Sequence, residues 1–271
     1  MPKTIVITGA SDGIGLAAAR QLTRDGHQVI MVGRSPHKTR TVASVLDTEY
    51  YTADFAHLGD VRALAAKLTT RHPRIDVLIN NAGAILGEQT ITVDGFEESF
   101  QVNYLAHFLL TNLVIDSLLC AGASVIQTAS NAARISARVE LDDLNNARRY
   151  SPMRAYGNAK MELILFTQEL HRRYHSRGLS PVSYHPGSMS SGFAKNSRGP
   201  VGTLFRSPVP RLFFQSPDKG AGHLLWLATS EPGRSWASGA HYEKRRIRAV
   251  KTELIAFELW ERSAKFVNLA L

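Results

Sequence analysis

Tyr156 and Lys160 lie four residues apart in the segment Ala-Tyr-Gly-Asn-Ala-Lys. At this spacing on a helix the two side chains lie on one face and can act on the same substrate atom. A free phenol has a pKa of about 10 and is a poor proton relay at neutral pH. Because a neighbouring ammonium favours the phenolate, Lys160 is expected to bring the pKa of Tyr156 toward the working range. The pair therefore predicts general acid–base chemistry.

A glycine-rich segment near the N-terminus reads Thr-Gly-Ala-Ser-Asp-Gly-Ile-Gly, from residue 8 to residue 15. It follows a strand-like run and opens a helix-like one, which is the context of a nucleotide-binding turn. Glycine lets the backbone approach a pyrophosphate, and the helix N-terminus supplies N–H groups and positive potential. We expect a dinucleotide here, the alternative being a turn used only for close packing. The predicted contacts are Gly9, Ser11, Asp12, Gly13, Ile14 and Gly15.

Short β-branched apolar runs alternate with longer segments of helical periodicity, which is the pattern of βαβ units. The predicted strands are 4–8, 28–32, 49–52, 75–80, 123–128, 181–184 and 239–242. The predicted helices are 14–25, 61–70, 96–119, 152–174 and 220–229. This alternation predicts an α/β fold of the Rossmann type: a doubly wound, mostly parallel sheet of about seven strands with helices on both faces. No linker divides the chain, so residues 1–271 are predicted to form one domain.

The regular pattern stops between residues 188 and 215, where Gly, Ser and Pro are dense and several Phe and Leu residues are interspersed. Apolar side chains in a segment of weak periodicity are typical of a mobile substrate lid. We interpret 188–215 as such a lid, and its aromatic residues favour an apolar substrate of moderate size. An ordinary surface loop with a short helix is the alternative.

Composition narrows the class of protein. One cysteine, Cys120, excludes a disulfide framework and a Cys-based zinc site, and it suits a reducing cytoplasm. The chain enters a strand-like run directly after Met-Pro-Lys, so we expect no signal peptide. No run of 18 uncharged apolar residues is present, so we expect no membrane span. These features predict a cytoplasmic protein. His171 and His175 lie four residues apart and could bind a metal, but no third ligand is evident in the sequence, so we expect no metal site.

The formal net charge is +9, with the densest basic run at residues 244–248. Such a charge could serve a nucleic-acid surface. The basic residues are otherwise scattered, and basic motifs with interleaved aromatic residues are missing. A solvated basic face is therefore the preferred interpretation of the charge. Attraction to an anionic cofactor or a membrane surface is a second interpretation, ranked above a nucleic-acid surface. We expect no nucleic-acid partner.

Several motifs together resemble the short-chain dehydrogenase/reductase family. Their order along the chain is Thr8-Gly9-x-x-x-Gly13-x-Gly15, Asn80-Asn81-Ala82-Gly83, Asn103, Ser130, Tyr156-x-x-x-Lys160 and Pro186-Gly187. The likeness spans nearly the whole chain and is greatest to the retinol-dehydrogenase-like and WW-domain-oxidoreductase-like branch, carried by the segments 101–111 and 185–187. Unlike the membrane-bound retinol dehydrogenases, the sequence shows no apolar N-terminal anchor.

The resemblance implies a role for each of four residues. Tyr156 would be the general acid/base that exchanges a proton with the substrate oxygen. Lys160 would lower the pKa of Tyr156 and hold the nicotinamide ribose hydroxyls. Ser130 would hydrogen-bond the substrate carbonyl and orient it. Asn103 would hold a water that links Lys160 to solvent.

The resemblance also implies further cofactor contacts. Asp54, followed by Phe55, matches the family acid near the adenine. Asn81, Ala82 and Gly83 follow the fourth strand, where the backbone passes close to the adenine ribose. The turn beside the nicotinamide carboxamide is matched by Pro186, Gly187 and Ser191.

The end of the second strand predicts NADP(H) in preference to NAD(H). An acid there would bond the 2′-hydroxyl of NAD(H) and repel a 2′-phosphate. Gly33 stands in that position, Arg34 follows at once and Lys38 lies four residues on. A guanidinium can grip a phosphate through two parallel hydrogen bonds, so Arg34 is the expected anchor. Asp12 argues mildly against this, because NADP-preferring relatives often carry a basic residue near that position, and NAD remains the alternative.

These observations predict an oxidoreductase that uses NADP(H) or NAD(H) to interconvert a hydroxyl and a carbonyl on an apolar substrate. A catalytically silent, cofactor-binding regulator of the same fold is the alternative. Loss of Tyr156, Lys160 or Ser130 would favour that alternative, and all three are present. A homodimer or homotetramer is also expected. Helices 96–119 and 152–174 are apolar around more of their circumference than one sheet contact explains, and the resemblance implies pairing through them.

Overall fold

The computed structural model describes residues 1–187, 216–250 and 253–269. The predicted lid at 188–215, with Ser191 in it, lies outside these residues. Elements are numbered below in chain order within the described ranges.

One sheet of eight strands organises the described part of the chain, in the order β3-β2-β1-β4-β5-β6-β7-β8. The strands are β1 (Thr4–Thr8), β2 (Gln28–Gly33), β3 (Glu49–Thr52), β4 (Val77–Asn80), β5 (Ser124–Thr128), β6 (Ser180–His185), β7 (His241–Glu243) and β8 (Arg246–Ile247). The first seven strands are parallel, which confirms the predicted doubly wound sheet. The unpredicted eighth strand is antiparallel. It forms because Lys244 and Arg245 both adopt positive φ and reverse the chain.

Helices cover both faces of the sheet. They are α1 (Gly13–Arg24), α2 (Pro36–Leu46), α3 (Leu58–Arg71), α4 (Glu98–Phe100), α5 (Ala106–Leu113), α6 (Ile115–Ala121), α7 (Ala132–Ile135), α8 (Pro152–Tyr174), α9 (Pro217–Thr229) and α10 (Glu253–Phe266). Short 3₁₀ turns lie at Leu141–Asp143 and His175–Arg177. One core lies between the sheet and α1, α2 and α9, and the other contains residues of α3, α5, α8 and α10.

The predicted helix 96–119 is not continuous. It divides into α4, a π-helical turn at Gln101–Leu105, α5 and α6. The two halves meet at Val114 with a bend of 63°. Within the described ranges no single helix is long and apolar enough to cross a bilayer, and only this bent pair reaches that length and composition when its halves are combined.

Helix α10 was not predicted, and it packs against α8 and α5. Trp260 contacts Phe108 and Phe166, at ring-centroid distances of 5.0 and 5.5 Å, and is 2% exposed. The Tyr104 hydroxyl hydrogen-bonds to Ser263 Oγ at 2.8 Å. The extra apolar surface of the two long helical segments is therefore covered by α10 of the same chain.

Candidate active site

Helix α8 places Tyr156 and Lys160 on one face, close to its N-terminal end. Ser151 caps this helix by accepting a hydrogen bond from the backbone N–H of Arg154, and Pro152 starts it. Both functional side chains are buried, and Lys160 Nζ lies 5.6 Å from the centre of the Tyr156 ring. Lys160 Nζ donates a hydrogen bond to the carbonyl oxygen of Thr128, the last residue of β5, at 2.9 Å. The predicted pair is thus held against the carboxyl end of the central sheet.

Ser130 completes a group of three. It stands two residues beyond β5, and its side chain forms a hydrogen bond with that of Tyr156. Ser130 Oγ also accepts the backbone N–H of Ala132 at 3.2 Å, where α7 begins. The phenol and the hydroxyl therefore converge on one point, where both can bond a single substrate oxygen.

Burial governs the titration of the site. It raises the pKa of Tyr156 above its ordinary value, and the hydrogen bond from Ser130 opposes this only in part. Burial also lowers the pKa of Lys160 to about 7. The expected lowering of the pKa of Tyr156 by Lys160 stays a prediction, since burial is the larger influence on the phenol in this structure. The charge of Lys160 changes near neutral pH.

Asn103 lies in the π-helical turn and braces the loop that follows β4. Its amide nitrogen donates to the carbonyl of Ala84 at 3.0 Å, and its amide oxygen accepts the N–H of Ala84 at 3.0 Å. A Cβ on Gly83 would lie 2.5 Å from Asn103 Oδ1 and 3.3 Å from Lys160 Nζ, so only glycine fits there. Asn103 is thus placed beside Lys160, and its role in holding a water stays a prediction.

The glycine turn after β1 and the loop after β4 are joined to each other. Thr8 Oγ1 accepts the backbone N–H groups of Asn81 and Ala82 at 2.9 and 3.0 Å. A Cβ on Gly9 would lie 2.8 Å from Ala82 Cα, and one on Gly15 would lie 2.3 Å from the Gly9 carbonyl. Only glycine therefore allows these backbones and the first turn of α1 to approach so closely.

The backbone turns joined in this way suit a dinucleotide. The N-terminus of α1 follows the first turn, which suits a pyrophosphate, and Gly83 in the loop after β4 lies beside Lys160. Gly13 and Ile14 form the first turn of α1, and the side chain of Asp12 caps it by accepting the N–H of Gly13 at 2.7 Å. When bound, a nicotinamide cofactor would supply or accept the hydride.

The other predicted cofactor residues have different surroundings. Asp54 follows β3, and its carboxylate accepts the N–H of Ala56 at 3.0 Å. The side chain of Phe55 is buried against the ring of His107, with centroids 5.1 Å apart, so it belongs to the core. Pro186 and Gly187 follow β6, and Gly187 has a φ of 95°, which favours glycine.

The end of β2 carries the predicted discriminating residues. Arg34 is exposed just after β2. A Cβ on Gly33 would lie 2.1 Å from Thr39 Oγ1, so the acid that bonds a ribose hydroxyl in NAD-binding sheets could stand there only if the Thr39 side chain moved. Lys38, in the first turn of α2, forms an ion pair with Asp12, with Nζ 2.6 Å from Oδ2.

His107 is a site residue that sequence reasoning missed. It is fully buried, and its Nε2 lies 2.8 Å from the carbonyl oxygen of Ala82. Burial and the nearby Lys160 lower its pKa to about 3, so the ring is neutral and holds the loop after β4 by donating this hydrogen bond. Its position four residues after Asn103 was the available signal, because that spacing puts both side chains on one helix face.

Comparison with known proteins agrees with this site. The model of the family described as short chain dehydrogenase matches residues 3–201, and the chain belongs to this family. A protein of Streptomyces sp. (strain C5) that is provisionally named daunorubicin C-13 ketoreductase DnrU is 40% identical over 277 residues, covering 98% of this chain and 93% of that protein. Human retinol dehydrogenase 13 is 34% identical over 283 residues, covering 98% and 85%.

Solved structures are similar as well. An uncharacterised protein from Mycobacterium paratuberculosis superimposes with a TM-score of 0.77 at 31% identity, covering 98% of this chain and 94% of that chain. A provisionally named short chain dehydrogenase from Shigella flexneri 2a str. 301, solved in complex with NADP, superimposes with a TM-score of 0.66 at 25% identity, covering 83% and 90%.

These findings confirm the resemblance, including the retinol-dehydrogenase-like branch, since retinol dehydrogenases 11 to 14 are among the matched relatives. The protein is an NAD(P)-dependent oxidoreductase that interconverts a hydroxyl and a carbonyl group on a small molecule. The presence of Ser130, Tyr156 and Lys160 in one cluster favours this enzyme over the catalytically silent alternative.

Proposed function

We propose that the protein is an NADP(H)-preferring oxidoreductase that acts on the carbonyl or hydroxyl group of an apolar substrate of moderate size. The observation that carries the proposal is the grouping of Ser130 and Tyr156 with the buried Lys160 at the carboxyl end of β5. Two relatives are named as a daunorubicin ketoreductase and a retinol dehydrogenase, which supports a carbonyl or hydroxyl group on an organic molecule of moderate size as the substrate. The predicted apolar lid at 188–215 supports it from the sequence.

In the reductive direction, Ser130 and Tyr156 bond the carbonyl oxygen of the substrate and fix its orientation. Tyr156 then gives its hydroxyl proton to that oxygen, and the resulting phenolate is stabilised by the ammonium form of Lys160. Burial strengthens both interactions, because water does not compete for the same groups. The oxidative direction uses the same residues, with Tyr156 accepting the proton.

Preference for NADP(H) rests on the end of β2. Gly33 stands where NAD(H)-binding sheets carry an acid, and Arg34 and Lys38 supply positive charge at the end of β2. NAD(H) is the alternative cofactor. The deciding measurement is kcat/KM with NADPH and with NADH, and equal values would overturn the preference.

The proposal includes a cytoplasmic location and a homo-oligomer. The single exposed cysteine suits a reducing compartment. Helix α10 covers the outer side of α5 and α8, so copies of the chain would have to pair through another surface. Light scattering at micromolar protein tests the oligomer, and a monomeric mass would remove it.

A screen of ketones, aldehydes and alcohols tests the proposed function, with the change in NAD(P)H absorbance as the readout. Tyr156→Phe is the matched control, because it keeps the ring and its packing while removing the transferable proton. We expect turnover of apolar carbonyl compounds by the wild type and loss of that turnover in the variant. Turnover that is equal in both would remove Tyr156 from the reaction.

A further inference from the structure

Asp12 and Lys38 connect two turns that flank the end of β2. Asp12 lies in the glycine turn before α1, and Lys38 lies in the first turn of α2. Asp12 Oδ2 and Lys38 Nζ are 2.6 Å apart, and the two side chains are 65% and 49% exposed. An exposed ion pair of this kind contributes little to stability, and its partners can be exchanged for another ion at low cost.

The ion pair with Asp12 engages the ammonium group of Lys38, which could otherwise bond a 2′-phosphate. Arg34 and Lys38 are the first two cations after Gly33, and Lys38 is already paired with a carboxylate. A phosphate carries more negative charge than a carboxylate and offers three acceptor oxygens, so it competes well for the same ammonium. The carboxylate of Asp12 therefore opposes the binding of NADP(H) at the end of β2, where Gly33 and Arg34 favour it.

We propose that Asp12 and Lys38 form an exchangeable ion pair that sets the ratio of NADP(H) to NAD(H) affinity. Lys38 leaves Asp12 and bonds the 2′-phosphate when NADP(H) binds, and it stays on Asp12 when NAD(H) binds. Asp12 is then a specificity-determining residue that acts by lowering the preference for NADP(H). This inference rests on the proposed use of NADP(H) at the end of β2.

Asp12 has a second, separable role that makes a clean variant possible. Its Oδ1 accepts the N–H of Gly13 and caps α1, whereas Oδ2 bonds Lys38. Asparagine is as good a helix cap as aspartate, so Asp12→Asn removes the charge and keeps the cap. Asp12→Ser also keeps a capping oxygen and serves if the asparagine variant fails to fold.

The test measures the Kd of NADPH and of NADH by calorimetry for the wild type, Asp12→Asn, Lys38→Met and the double variant. We expect Asp12→Asn to tighten NADPH about tenfold, or about 1.4 kcal/mol, and to change NADH less than about twofold. Lys38→Met should weaken NADPH about tenfold. On the Lys38→Met background, Asp12→Asn should tighten NADPH by less than about threefold, because the exchange runs through Lys38.

Three results of this titration would overturn the proposal that Lys38 exchanges Asp12 for the 2′-phosphate. An unchanged ratio of the two Kd values in Asp12→Asn makes the pair a structural link only. If Asp12→Asn tightens NADPH equally in the wild type and in Lys38→Met, Asp12 repels the phosphate directly. Binding of neither dinucleotide by the wild type overturns the proposed function together with this inference, whereas binding with an unchanged ratio overturns this inference alone. Thermal melting of each variant checks that α1 remains folded.

Discussion

Burial of Lys160 should lower the free energy of unfolding of the protein. Replacing it by methionine should therefore stabilise the protein while ending its activity. Burial lowers the pKa of this residue from 10.5 to about 7. Each pKa unit corresponds to about 1.4 kcal/mol, so at pH 7 the cost of burying Lys160 is about 4 kcal/mol. Methionine has a similar length and no charge. Loss of the hydrogen bond to the Thr128 carbonyl costs about 1–3 kcal/mol, which leaves a net gain of about 2 kcal/mol.

The stability advantage of Lys160→Met should depend on pH, because the pKa of Lys160 differs between the folded and the unfolded chain. Between pH 7 and pH 10.5 the unfolded chain keeps the proton on Lys160 and the folded chain releases it, so the wild-type free energy of unfolding rises with pH. Lys160→Met lacks this dependence. Its advantage over the wild type should therefore be greatest at and below pH 7 and should vanish at about pH 9, and at about pH 10.5 the variant should be the less stable of the two because it lacks the hydrogen bond to Thr128.

Thermal unfolding followed by circular dichroism at pH 6, 7 and 9 measures the effect. A gain of about 2 kcal/mol corresponds to an increase in Tm of about 4–8 °C for a chain of this size. Lys67→Met, at an exposed lysine of α3, is the matched control and should not show the gain. If Lys160→Met melts below the wild type at pH 7, or if its advantage is the same at pH 9, the reasoning from burial is wrong.

Three further outcomes are expected. Tyr156→Phe should lower turnover by about 10²-fold or more with little change in the Kd of the cofactor, because it removes only the transferable proton; near-normal turnover would contradict its role. Arg34→Ala should raise the KM of NADPH about tenfold and leave that of NADH within about twofold; an unchanged KM for NADPH would exclude Arg34 as an anchor. Trp260→Ala should lower the free energy of unfolding by about 3–5 kcal/mol in urea denaturation, since it opens a cavity against Phe108 and Phe166; a loss below about 1 kcal/mol would show that α10 is not part of the cooperative core.

The fold was predictable because buried parallel strands are short, continuous apolar runs. Strands β1 and β3 have the predicted bounds, and most others differ by one or two residues. Helix α2 was missed although Ser35 and Pro36 mark its start, because only Thr39 and Ala43 on it are buried and no apolar period results. Ending the helices at residue 229 was a mistake, since the buried positions of α10 repeat at helical spacing.

The candidate site was predictable in its residues and less so in its energetics. The spacing of Tyr156 and Lys160 on one helix face is a local property that the sequence contains. The raised pKa of Tyr156 is different, because it depends on how completely other elements enclose the ring. The Asp12–Lys38 ion pair was equally inaccessible, since it depends on how two turns 26 residues apart meet in space.

Helix α10 has a consequence for the order in which the protein is assembled. Within the described part of the chain, α10 packs on the face of α5 and α8 that contains Phe108 and Phe166, and it follows all eight described strands of the sheet. During synthesis the sheet and its other helices can therefore form while this aromatic surface is still open to water. We expect that interval to be the stage at which the nascent protein is most prone to aggregate and most dependent on chaperones. This interval ends when Trp260 packs against Phe108 and Phe166.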